Sequence, residues 1–374
     1  MKPWLAGCAL AWAQACQAQT GSAKSVENQV IDAVCDKQVV ALGELPSHGE
    51  AGGFRFKASI VQGLVERCGF AAVLFEAPIY GFIGFNKAAA QDNATQAQLD
   101  RAIGKFWWMQ ELTDWREWLF RQSVAHRLLL GGLDDQISAT SQYAMDMLPG
   151  LARVKLPPED AAECEQAIDR NLHWRYDANH LYDDHERERL SRCATLALSR
   201  TENDSGQAML RNLASVYQRE NKQAQAPSRD LVMYLNLLWY AEQLPKDAKL
   251  IVWTATVHAA RAQGPLHEET TGHLLAEMYG SRFSAVGFSA CGGQSRMAGG
   301  PGKTLPHAPS ESLEYQAAHC EGEAAWLDHA RLQAMGQTSS RLFGQFKTAD
   351  WSQYFDGIIV ISDETAPTPA WPVQ

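Results

Sequence analysis

Four short apolar runs along this chain each end on an acid, a histidine or both. Val39-Val40-Ala41-Leu42 precedes Glu44 and His48, Ala72-Val73-Leu74-Phe75 precedes Glu76, Leu128-Leu129-Leu130 precedes Asp134, and Leu250-Ile251-Val252-Trp253 precedes His258. Runs of this length and composition read as buried strands. Between the first two, Phe54 to Arg67 has helical spacing and stops at Cys68-Gly69, where glycine ends a helix. Strand, helix and strand make a βαβ unit, which implies a parallel pair with a right-handed crossover. In parallel sheets ligands bind beyond the carboxyl ends of the strands. Side by side, these runs would gather three carboxylates and two imidazoles at one mouth.

The remaining pattern fills in the architecture. Ser25–Asp36 is helical, and so is the spacing from Ile79 to His126, before a strand-like Arg127–Leu130. Residues 138–244 carry almost no strand signal. They read as amphipathic helices at Thr140–Leu148, Glu159–Asn171, His185–Leu198, Gln207–Arg219 and Ser228–Gln243. Strands return at Lys249–Trp253 and Ser284–Phe288, with a helix at Thr271–Tyr279 between them. Gly292–Pro309 reads as a loop. A last strand, Gly357–Ile361, precedes a Pro-rich tail, residues 366–374, expected to be disordered. The expected fold is three-layer α/β/α with a mainly parallel sheet. Its catalytic core spans 20–137 and 245–365, and the helical insertion 138–244 covers the crevice.

Composition narrows the class. Hydrophobic residues are 46% and charged residues 20% of 374, as in soluble globular proteins. A formal net charge of -10 and the lack of a Lys/Arg stripe argue against a nucleic-acid partner. Residues 1–19 resemble a secretory signal: Lys2, an apolar Leu5–Ala13 too short to span a bilayer, then small residues. The expectation is a periplasmic or secreted protein with no membrane span; a lipid anchor at Cys16 is the lesser alternative, because Gln14 suits it poorly. Beyond residue 19 six cysteines remain, and six allow fifteen connectivities. They fall into local pairs, so Cys35–Cys68, Cys164–Cys193 and Cys291–Cys320 are the expected disulfides in an oxidising compartment.

Glu44 and His48 flank a turn opened and closed by Gly43 and Gly49. A carboxylate beside a histidine fixes its tautomer and raises its basicity, which makes a general base. Glu76, at the next strand end, can reach the same space; neighbouring carboxylates repel, so one pKa should rise. His258 starts a short helix. Asp134 lies in a glycine-assisted turn and could instead cap a helix. Arg229-Asp230 opens a helix, with Asp230 as a dipole partner and Arg229 free to hold a substrate oxygen or carboxylate. There is no GxSxG elbow. Gly302-Lys303-Thr304 has Met297 where a Walker loop needs its first glycine. His267-Glu268 and His273 lack HExxH spacing.

Taken in order, these residues resemble the erythromycin esterase family. The family's Gly-Glu-x-x-His-Gly is similar to Gly43-Glu44 through His48-Gly49, followed by a helix with Phe54 and Lys57. Its strand-end Glu resembles Glu76, its Trp-x-x-Glu resembles Trp108 to Glu111, and its Gly-x-Asp-x-Gln resembles Gly132, Asp134 and Gln136. Its Arg-Asp-x-x-Met is similar to Arg229, Asp230 and Met233, and its later histidine turn to Val252–His258. The chain departs twice: three residues separate Glu44 from His48 where the family usually has two, and Ala255 and Thr256 replace family residues near His258. The resemblance implies an ester or lactone hydrolase whose water is activated by His48, oriented by Glu44. Glu76 orients that water or donates a proton, and His258 binds or polarises the carbonyl. Lys57, Glu111, Asp134 and Arg229 are the expected substrate contacts. No cofactor is implied. Two alternatives share the site: a hydrolase with a divalent metal on Glu44, His48, Glu76 and His258, and a non-catalytic envelope protein that binds a small ligand.

Overall fold

The computed structural model describes residues 25–137, 141–201, 204–222, 224–262, 269–298, 300–318 and 322–370. The expected signal segment, 1–19, lies outside them. Eleven strands are described: β1 (Val39–Leu42), β2 (Phe70–Pro78), β3 (Leu129–Asp134), β4 (Lys249–Trp253), β5 (Phe283–Ala290), β6 (Gly293–Ser295), β7 (Lys303–Leu305), β8 (Ala324–Asp328), β9 (Gln337–Ser340), β10 (Lys347–Asp350) and β11 (Gly357–Ile361). Seven form one sheet in the order β3-β2-β4-β1-β5-β11-β8. All its neighbours are parallel except β8, which runs antiparallel to β11 at the edge. Leu42 pairs with Trp253, and Trp253 with Phe75, so the carboxyl ends of β1, β4 and β2 are level.

The helices before the insertion are α1 (Val26–Val34), α2 (Ala51–Cys68), α3 (Ile79–Ala89), α4 (Gln96–Ile103) and α5 (Thr113–Val124). Then come α6 (Gln142–Lys155), α7 (Pro158–Leu172), α8 (Asp184–Leu198), α9 (Ser205–Glu220), α10 (Arg229–Ala241), α11 (Thr256–Ala259) and α12 (Thr271–Tyr279). Side chains alternate across a strand, and the alternation here splits the core in two. Val40, Leu42, Val73, Phe75, Ile251 and Trp253 pack with α1, α2, α4 and α5. Val39, Ala41, Leu74, Val252 and Ala285 face the helices of the insertion and α12. Helix α3 serves both, with Phe82 and Phe85 on one side and Tyr80 and Ile83 on the other. The result is a three-layer α/β/α fold.

Gly69 ends α2 at φ 72°, in the left-handed region expected from Cys68-Gly69. Two of the expected disulfides are present: Cys35–Cys68, with Cα atoms 5.3 Å apart, and Cys164–Cys193, at 5.5 Å. Cys291 is disulfide-bonded; Cys320, its expected partner, lies outside the described residues. Closing loops of 33 and 29 residues stabilises each region by about 3–4 kcal/mol.

Two expectations change, and three strands have no counterpart in the sequence pattern. The stretch Gly292–Pro309 is not all loop: β6 and β7 pair as a small antiparallel ribbon. The edge strand β8 and the β9–β10 ribbon carried no clear signal. The tail is held in order through residue 370: Gln110 N–H donates to Thr368 O at 2.8 Å, and Ala370 N–H to Trp108 O at 3.3 Å. Among the described residues no helix is long and apolar enough to cross a membrane.

Candidate active site

The level ends of β2, β4 and β1 bring their following residues to one cleft. After β1 the chain turns through Glu44 to His48, which sits at φ 47°. That conformation is strained for a bulky side chain and persists only where its surroundings enforce it. His48 Nδ1 lies 2.5 Å from Glu44 Oε1. Glu44 is buried, and its other contacts are donors: Trp107 Nε1 at 3.0 Å and Lys57 Nζ at 2.7 Å. With Nδ1 committed to Glu44, Nε2 is the nitrogen His48 has left for the cleft it lines. Burial pushes the imidazole pKa down, but the Glu44 hydrogen bond and the charges of Glu44 and Glu76 bring it above the usual 6.5.

Lys57 is fully buried, which corrects the expectation that it touches substrate. It donates to Glu44 and to Thr254 O at 3.1 Å, and packs 4.3 Å from the Trp253 ring centroid. Burial lowers its pKa to about 8. Its role is to fix Glu44 from behind.

Glu76, at the end of β2, accepts from Thr254 Oγ1 and Ala255 N–H at 2.7 Å each, and from Arg229 Nη2 at 2.9 Å. Burial alone would raise its pKa; the charges of His258 and Arg229 overcome this and bring it to about 2. A carboxylate so held stays ionised, so the protonated acid anticipated from clustered carboxylates is not Glu76. Asp134, at the end of β3, grips Arg229 through two bonds, Nε to Oδ1 at 2.9 Å and Nη2 to Oδ2 at 2.8 Å. Burial opposes the Arg229 charge, and the Asp134 hydrogen bond and charge, with Glu76, outweigh it, so the guanidinium stays charged.

His258, after β4, stands behind Arg229. Its Nδ1 lies 2.9 Å from Asp230 Oδ1, and its Nε2 lies 3.1 Å from Arg229 Nη1 and 3.4 Å from Glu76 Oε1. A neutral His258 with its proton on Nδ1 can accept from Arg229 through Nε2, whereas a protonated His258 turns an Nε2–H toward Glu76. Burial lowers the His258 pKa, but the Asp230 hydrogen bond and the Glu76 charge raise it overall. Asp230 is held in turn by Thr271 N–H at 2.7 Å. Both nitrogens of His258 are thus engaged, and it does not line the cleft.

The cleft has a volume of about 490 Å³. Its polar wall is His48, Glu76, Lys105, Asp134, Gln136 and Arg229; Pro78, Ile103, Phe106 and Trp107 supply an apolar wall. Phe106 packs 5.2 Å from the His48 ring. Glu111 is not part of it: its carboxylate caps the tail at Thr368 N–H, 3.0 Å away. Three contributors carry no signal in the sequence, and a fourth carries a different one. Trp107 was overlooked beside Trp108, Phe106 carried no motif, Thr254 is a lone hydroxyl at a strand end, and Asp230 read as an ordinary helix-dipole partner. The places where the family has other residues near His258 are structural here. Ala255 donates its N–H to Glu76, while Thr256 Oγ1 accepts from Phe288 N–H at 3.1 Å.

The erythromycin esterase family model matches residues 65–364. The chain belongs to this family. The matched span contains Glu76, Asp134, Arg229 and His258 but begins inside α2, so the Glu44–His48 turn stands on its geometry. Three solved structures share the fold. A Bacillus cereus protein aligns with TM-score 0.68 and 18% identity over 91% of this chain and 92% of its own. A succinoglycan biosynthesis protein aligns with TM-score 0.70 and 16% identity over 91% of each chain. A mutant of erythromycin esterase EreC in its open conformation aligns with TM-score 0.58 and 15% identity, over 92% of this chain and 95% of its own. No curated protein matches the chain significantly.

Proposed function

We propose that this chain is an exported hydrolase of a carboxylic ester or lactone, with His48 as the general base. The observation that carries the reading is the 2.5 Å contact between His48 Nδ1 and Glu44. It leaves Nε2 free to accept a proton from water at the cleft surface. The hydroxide equivalent attacks the carbonyl carbon, and Glu44 stabilises the imidazolium that forms. Four of the five Arg229 N–H groups face Asp134, Glu76 and His258; the fifth can donate to the developing oxyanion. Collapse expels the alkoxide, which takes the proton back from His48. Pro78, Ile103, Phe106 and Trp107 suit the carbon skeleton of a medium-sized organic substrate. The two disulfides favour an oxidising compartment and support export.

A resident metal fits these residues poorly. Among the described residues no three His, Cys, Asp or Glu side chains are grouped to hold one. Arg229 is the cation lying between Glu76, Asp134 and His258, and the Glu44 oxygens are taken by His48, Lys57 and Trp107. The test is a panel of chromogenic esters, lactones and macrolides offered to wild type and His48→Ala, each with and without chelator. Turnover that disappears in a folded His48→Ala protein and ignores chelator supports the reading. Turnover that dies with chelator and returns with a divalent metal supports the metal-dependent alternative. Saturable binding without turnover means a ligand-binding protein.

A further inference from the structure

Behind the His48–Glu44 pair lie two buried carboxyl groups that the chemistry above does not use, Glu50 and Glu364. They line the same small cavity as Glu44, with Gly53 and Phe54 of α2 and Phe288 and Ser289 of β5. Glu50 closes the His48 turn: it accepts from Ser47 Oγ, and from Gly49 N–H at 2.8 Å. It occupies the N-cap position of α2 yet makes no side-chain cap bond to that helix. The cap comes from 311 residues away. Glu364, beyond β11, accepts from Gly53 N–H at 2.9 Å and 3.2 Å through its two oxygens, and also from Gly52 N–H. A Cβ on Gly52 would stand 2.6 Å from Glu364 Oε2, so the glycine is what lets the carboxyl approach the helix start. The Glu364 backbone is itself fixed, its N–H donating to Gly292 O at 2.9 Å and its O accepting from Gln294 N–H at 2.7 Å.

We propose that Glu364 is a positioning residue for His48: it caps α2 from across the fold and, sharing a buried cavity with Glu50, holds the strained turn that presents the imidazole. The turn needs such support, because a left-handed histidine persists only where its neighbours enforce it. Both carboxyls are buried, and among the described residues neither forms an ion pair with a cation. The charged groups facing them are Glu44 across the cavity and His48 on the turn, with Lys57 of α2 beyond Glu44. Two such carboxylates cannot both ionise cheaply. Burial, then the Glu50 charge, pushes the Glu364 carboxyl up to about 8, and burial raises Glu50 as well.

The sign of the consequence is fixed. A carboxyl raised in the native state binds a proton there between about 4.5 and 8 that the unfolded chain has lost. This contribution to stability is therefore fully present below about 4.5, declines as pH rises from there, and is lost once pH has passed about 8. Ionising the second carboxyl sets two like charges against the turn and loosens His48.

The proposal extends the hydrolase reading but is tested without it. Thermal unfolding midpoints are measured from pH 5 to 9 for wild type, Glu364→Gln and Glu364→Ala, and His48 is titrated by NMR in histidine-labelled protein. Wild type should lose several degrees across the range. Glu364→Gln keeps the shape without the ionisation, so its profile should be much flatter and the His48 titration should shift. Where an ester is turned over, Glu364→Ala should lower kcat by roughly tenfold or more with little change in KM, as a misplaced general base would. A merely structural cap would lower the midpoint of Glu364→Ala while leaving the His48 titration where wild type has it. That outcome, or a Glu364→Gln profile as steep as wild type, overturns the proposal. Failure to hydrolyse any ester would count against the hydrolase reading alone.

Discussion

Two imidazole–carboxylate pairs stand beyond the ends of β1 and β4, and they differ in what is left over. His48 has Glu44 on Nδ1, and its second nitrogen is left for the cleft. His258 has Asp230 on Nδ1, and its second nitrogen is taken up by Arg229 and Glu76. Burial presses on both, and in both the neighbouring acids outweigh it and raise the pKa. On the proposed mechanism the same local chemistry yields a base in one place and a brace in the other. What separates them is the neighbouring element: α10 delivers Arg229 onto His258, whereas Phe106 and Trp107 flank His48 with aromatic rings.

The comparison can be broken from either side. Glu44→Gln removes the charge that makes His48 basic, and kcat/KM should fall about 10²-fold, the lower end for losing general-base assistance. Because a general base must be neutral to accept a proton, wild-type activity should rise with pH through a value above 6.5. With the Glu44 charge gone, that acid limb should move to lower pH in a pH–rate profile. Arg229→Lys cannot reproduce the two-oxygen grip on Asp134 together with the bond to Glu76, so kcat should drop by roughly tenfold or more. Asp230→Asn should have a smaller kinetic effect. It weakens the support of His258 and Thr271 at a stability cost of about 1–3 kcal/mol, read by denaturant unfolding. Smallest for activity is the double change Cys164→Ser and Cys193→Ser. It should lower stability by about 3 kcal/mol while leaving kcat/KM at low temperature within about twofold.

The two pairs were also unequally legible in the sequence. Strand-end positions are readable because a buried strand has a plain apolar run, and a parallel sheet sends its ligand-binding residues to one edge. That logic found Glu44, His48, Glu76, Asp134 and His258. It could not say which nitrogen of each histidine stays free, because the partners that decide it arrive from distant elements: Trp107 from the turn after α4, Arg229 and Asp230 from α10, and Thr254, which holds Glu76, from just after β4. Nothing local shows that a lysine on α2 points inward onto Glu44, so Lys57 reads as a substrate contact. Glu111 was misread for the same reason, its partner being the chain's tail. The missed strands are short or lie at an edge. Ala324–Asp328 has no β-branched residue, and its pairing comes from β11 rather than from its own composition.

The central claim is that His48 carries the chemistry and His258 supports it. The measurement that tests this most directly is kcat/KM on one turned-over ester for wild type, His48→Ala and His258→Ala, with folding checked by circular dichroism. The account predicts a loss of about 10²–10⁴-fold for His48→Ala and a much smaller loss for His258→Ala. Equal losses, or a folded His48→Ala protein with full activity, would contradict it.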